Sequence, residues 1–230
     1  MEESKKTENE FEGYIRSIPD TIKKVIINPV GFFKDMPKSG GFIEPLIFMV
    51  CMGLVVAVIN LILATFGMGF VGSFLMAVAS LIILPIVIAI FGFVGALILF
   101  IIWKIMGSQE SFETAYRCAA YATGITPITT IINLVPYLGA LVSLLWMTYL
   151  MVVASVEVHS INRKTAWMVF GIIAGIFFLF SISSQYAARK LTSDVGKFQE
   201  EVGKQIEDMS PEEAGKAMGE FLKGLQQSAE

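Results

Sequence analysis

Long stretches without a charge alternate along this chain with short stretches crowded with them. Residues 45–103 contain no Asp, Glu, Lys or Arg. An apolar run of 18 or more residues can cross a bilayer, because only a helix satisfies its own backbone in lipid. The pattern predicts five crossings. The first covers about 45–66, and Gly67-Met68-Gly69 turns the chain. Residues 71–104 are too long for one upright helix and too short for two helices and a turn, so they predict a single tilted helix kinked at Pro85. The third, 114–135, is more polar, with Tyr116, Arg117, Tyr121, Asn133 and several threonines. Pro136 and Gly139 lead into the fourth at 138–158, and a short loop precedes the fifth at 166–187. The expected layout is a segment 1–43, a membrane domain 44–187 and a tail 188–230.

Both ends carry amphipathic patterns. Residues 17–27 predict a short helix capped by Ser17, with Ile22, Val25 and Ile26 on one side and Lys23 and Lys24 on the other. Such a helix suits the membrane surface or a site packed on the bundle. In the tail, Leu191, Val195, Phe198, Val202, Gln205 and Met209 recur at alternating spacings of four and three. Ser210-Pro211-Glu212-Glu213 forms a capping box for a second tail helix. The fold class is therefore all-α: a five-helix polytopic membrane bundle with an N-terminal interfacial helix and an amphipathic helical tail.

Charge sets the orientation. Seven Lys and Arg residues precede the first crossing, none lies in 67–70, Lys104 and Arg117 flank the second loop, and Arg163 and Lys164 sit in the fourth. This alternation places the N-terminus in the cytoplasm. Arg189 and Lys190, after a fifth crossing, fall on the outer side against the rule. The polar first 43 residues predict no cleavable signal peptide.

Composition narrows the chemistry. The chain is 55% hydrophobic and 16% charged with a net charge of −3, which argues for membrane lipids and against nucleic acid as partners. One histidine and two separated cysteines, Cys51 and Cys118, predict no metal site. No phosphate-cradling loop, nucleophile elbow or Ser-His-Asp spacing is present, so neither a cofactor nor an enzymatic activity is expected. His159, in a short basic loop, shows no evident partner.

The ionisable residues at the helix ends are the candidates for a site, because placing them there is costly. Glu44, Glu113, Arg117 and Glu157 all fall on the predicted cytoplasmic side, and Glu113 and Arg117 share a helix face. Arg117 is expected to pair with Glu44 or Glu157 and tie helices together; the alternative is that each snorkels to the interface. The hydroxyls of the third crossing could line a transport path, but they more commonly hydrogen-bond between helices. Gly171 and Gly175 form a GxxxG that suits helix packing, within the chain or between copies. Phe32, Phe33 and Trp103 are read as interfacial anchors.

Several features recur in one order: Asn28-Pro29-x-x-Phe32-Phe33, Glu44-Pro45-Leu46, Ala115-Tyr116 with Tyr121 and Pro127, Pro136-x-x-Gly139, Trp146-x-x-Tyr149, and His159 to Lys164-x-Ala166. Over about residues 28–187 this resembles the Yip domain family, multi-pass membrane proteins named for interaction with Ypt/Rab GTPases. The resemblance implies five crossings, a cytoplasmic N-terminus and a role in membrane organisation or traffic. The short N-terminal segment and long acidic tail differ from eukaryotic members and point to a prokaryotic cell membrane. The expected function is a non-enzymatic scaffold, with contact to a protein or a second copy through the tail and Gly171/Gly175. The alternative is a small-molecule, ion or lipid transporter.

Overall fold

The computed structural model describes residues 2–68 and 74–208, with side chains described for 12–68 and 74–197. Among the described residues every regular element is helical. In chain order these are α1 (Glu2–Ile27), α2 (Pro29–Asp35), α3 (Ile43–Thr65), α4 (Phe74–Ile105), α5 (Phe112–Ala122), a 3-10 turn (Thr123–Ile125), α6 (Thr126–Ile132), α7 (Leu138–Glu157) and α8 (Arg163–Asp208). The described residues fall into two compact units, one up to Ser181 and a second from Ile182 to Asp208.

Among the described residues four helices are long and apolar enough to cross a membrane: α3, α4, α7 and the Arg163–Lys197 part of α8. Their outward faces are apolar, with Ile82, Phe91, Leu145 and Phe180 all exposed. In water such a surface would be untenable; in lipid it is the expected one. The apolar run through Pro85 is one helix.

The third predicted crossing is not one continuous α-helix. It breaks at Thr123–Ile125 between α5 and α6, and neither piece alone is long enough to span. Pro127 enters at the start of α6, where its missing N–H is tolerated. Within a continuous helix the same ring would collide with the preceding turn. Gly124 lies in the break, where an added Cβ would come within 3.3 Å of Phe48 and 3.5 Å of Val25.

The N-terminal helix begins well before Ser17. Ser17 sits inside α1 and donates to the Tyr14 carbonyl (2.7 Å), so it is no cap. The apolar side of α1 packs on the bundle: Ile18 and Val25 are buried, Ile22 and Ile26 lean on the same core, and Lys23 and Lys24 face out. The Tyr14 hydroxyl donates to the Glu44 carbonyl and joins α1 to the start of α3. In the second unit, Leu191 and Val195 are exposed. The side chains further along that seam, and the second tail helix predicted after Ser210, lie outside the described residues.

Candidate functional site

The stretch between α2 and α3 folds over the first turns of α5. Gly40 and Gly41 take positive φ (127° and 84°), which lets the chain bend sharply there. Ser111 caps α5 by accepting from the Thr114 N–H (3.2 Å). Thr114 in turn donates its hydroxyl to the Lys38 carbonyl (3.0 Å). The Glu113 carboxylate accepts the Gly41 N–H (2.7 Å), and Arg117 donates Nη1 to the Gly41 carbonyl (3.0 Å). Gly41 is thus held from both of its peptide groups by one turn of α5.

Arg117 is the buried charge of this cluster. Its side chain is 2% exposed, while its ion-pair partner Glu44 (Nη2 to Oε2, 3.5 Å) is 51% exposed. The guanidinium also lies over the Tyr121 ring at 5.9 Å. Its Nε and the nearby Tyr116 hydroxyl have no partner among the described residues. Glu157 is elsewhere: with Arg163 and Trp167 it lines a cleft of about 210 Å³ where α7 ends and α8 begins. Of the four predicted residues, the fold brings Glu44, Glu113 and Arg117 together around Gly41, and Glu157 stands apart.

A second polar group escaped the sequence reading. His159 is buried and stacks on Trp103, with ring centres 4.0 Å apart. Its Nδ1 lies 2.7 Å from the Ser108 hydroxyl and its Nε2 3.9 Å from the Cys118 sulfur, so either neutral tautomer uses both nitrogens. Trp103 donates to Ser155 (2.8 Å), which donates to the Met151 carbonyl (2.6 Å). Beside them Lys38 bridges Glu110 (2.7 Å) and the Val158 carbonyl (3.1 Å). The signal in the sequence for pairing Ser108 with His159 is that the predicted five-crossing layout puts both of their loops on one side.

Burial lowers the His159 pKa from its usual 6.5 to about 4; Glu110 opposes the shift, and Lys38 and Lys104 add to it. The folded value lies below the unfolded one, so this stabilisation is complete above about pH 6.5 and declines as pH falls toward 4. Its full loss corresponds to about 3 kcal/mol. The thermal midpoint in detergent should therefore drop between pH 7 and pH 5 for the natural chain and stay flatter for His159→Gln. A parallel decline in both would assign the acid sensitivity to carboxylates instead.

Two expected roles are corrected by burial. Phe33 and Trp103 do not reach the lipid boundary: Phe33 packs beneath α2 and Trp103 under His159, both in the protein core. Phe32 is half-buried, edge-on to Phe33 and to Tyr121. Gly171 and Gly175 have no in-chain packing among the described residues, since an added Cβ at either meets nothing within 4 Å. The threonine hydroxyls of the third predicted crossing turn inward on their own backbone. Thr123, Thr126, Thr129 and Thr130 each donate to a carbonyl three or four residues back.

The chain matches the Yip1 domain over residues 23–184. No curated protein and no solved structure matches it. The match covers more than half of the 230 residues, and it coincides with the apolar helices and with the polar cluster that joins them. With four helices suited to lipid among the described residues and a domain of this kind, the chain is an integral, multi-pass membrane protein that belongs to the Yip1 domain family.

Proposed function

We propose that this protein is a non-enzymatic scaffold or membrane-organising factor, crossing a prokaryotic cell membrane five times with its N-terminus in the cytoplasm. The count is supported by parity. Lys38, Gly41, Ser108, Glu110, Glu113, Val158 and His159 are joined by hydrogen bonds or an ion pair, so the segments that hold them share one side. Helix α3 leaves that side and α4 returns to it. Helix α7 ends there after 20 residues, about 30 Å, so it starts on the far side. Something must carry the chain across between 112 and 138, and α5, the 3-10 turn and α6 are the elements available. The lysines and arginines of the shared side agree with a cytoplasmic face.

The observation that carries the scaffold reading is how the buried charge is used. Arg117 is engaged by a backbone carbonyl, a carboxylate and a ring, as a structural tie would be. A transporter needs polar groups presented to a water-filled path, and the threonines of the third crossing are instead committed to their own helix. Reconstituted vesicles should take up solutes no faster than empty ones, while crosslinking with mass spectrometry in native membranes should recover a protein or a second copy. Uptake abolished by Thr130→Val would overturn this reading in favour of transport.

A further inference from the structure

We propose that the cleft between the end of α7 and the start of α8 binds the headgroup of an aminophospholipid, one carrying a phosphate and a primary ammonium. Its lining holds two opposite charges, Glu157 and Arg163. Neither side chain makes an ion pair or a hydrogen bond among the described residues. They face one opening without meeting each other. The rest of the lining is apolar and aromatic, with Val152, Val156, Tyr149 and Trp167 among it. Tyr149 lies eight residues before Glu157, about 12 Å along the helix axis, and Trp167 one turn beyond Arg163. Along α7 the lining runs from the Glu157 charge through valines to Tyr149, and along α8 from the Arg163 charge to Trp167, so on both helices the charge gives way to apolar and aromatic surface.

The volume agrees with a headgroup. At about 210 Å³ the cleft is smaller than the roughly 300–1,000 Å³ of pockets that enclose a whole drug-sized ligand. It can hold phosphate, ethanolamine and the upper glycerol while the chains stay in the bilayer. The phosphate falls to Arg163, whose planar fork suits its oxygens. The amides at the start of α8 are less available, since the Asn162 side chain already accepts from the Lys164 N–H (2.9 Å). The ammonium falls to Glu157, which can accept its N–H donors. A choline headgroup has no N–H to give, and a glycerol headgroup brings no cation to Glu157.

The test uses the full chain, purified, stripped of lipid and then offered phosphatidylethanolamine, phosphatidylcholine and phosphatidylglycerol with identical chains. Native mass spectrometry counts the lipid retained. Phosphatidylethanolamine should be preferred over either of the others by about tenfold, the factor expected for one charge-assisted hydrogen bond. Glu157→Gln should erase that preference, and Arg163→Ala should weaken all three. Equal retention of the three lipids by the natural chain overturns the proposal without any variant, and so does a preference that survives Glu157→Gln. Soluble phosphoethanolamine that competes as well as the lipid would overturn the assignment to a membrane lipid.

Discussion

Arg117→Ala should cost the fold about 1–3 kcal/mol for the buried carbonyl it leaves without a donor, with the lost packing of a long buried side chain added to that. The change strips the Gly41 carbonyl of its donor and leaves space beneath the Tyr121 ring. Glu44→Gln should cost about 1 kcal/mol or less, because Glu44 is half in solvent and its pairing distance is long. The expected result is therefore an asymmetry: a collapse of folded yield and thermal midpoint in detergent for Arg117→Ala, and a small shift for Glu44→Gln. A simple ion pair would let reversal of both charges restore what either reversal loses. The geometry argues otherwise. A carboxylate at 117 would face the Gly41 carbonyl, acceptor against acceptor, in a buried site. The double reversal should stay unfolded. If Arg117→Ala proved no worse than Glu44→Gln, the tie would be a surface ion pair and nothing more.

Gly139→Ala should rival it. Gly139 opens α7 against the end of α6, and a Cβ there would lie 2.4 Å from the Ile132 carbonyl oxygen and 2.6 Å from the Asn133 Cα. Both are backbone atoms, so no side chain can swing away to make room. Overpacking in protein interiors typically costs about 1–3 kcal/mol, and a clash with fixed backbone belongs at or above the top of that range. Gly92→Ala is the matched control. Its added Cβ meets only the end of the Met49 side chain, at 2.3 Å to Cε, and that chain can rotate aside. Size-exclusion profiles should show Gly139→Ala as aggregated or absent and Gly92→Ala as largely folded. Equal behaviour would mean that the turn after α6 is looser than drawn.

What could be read from the sequence follows from what kind of signal each feature leaves. The apolar helices were legible because lipid demands long uncharged runs, and composition alone records them. The Glu44–Arg117 contact was legible because charges at the ends of such runs are rare enough to be matched by side and depth. The largest partner of Arg117 was not, because Gly41 supplies a carbonyl, and every residue has one. Phe33 and Trp103 misled for a related reason. Aromatic residues near helix ends are common at interfaces, but these two fill the space between helices, and only the packing distinguishes the cases. The break in the third predicted crossing lies at Gly124 and Pro127, two residues that a hydropathy pattern does not weigh. His159 and Ser108 lie 51 positions apart, beyond any periodic motif.

The reach of Lys38 has a consequence for how the protein is made. Its ammonium joins Glu110, 72 positions later, and the Val158 carbonyl, 120 positions later. During synthesis the segment around Gly40 and Gly41 leaves the ribosome early, long before either partner exists. It must wait, charged and solvated, while the helices are threaded one by one. Only when the loop after α7 emerges can Lys38, Gly41 and Arg117 all reach their partners at once. The segment before α3 is among the first to be made and the last to be finished, so its closure reports that the helices from α3 to α7 have come together in the right order.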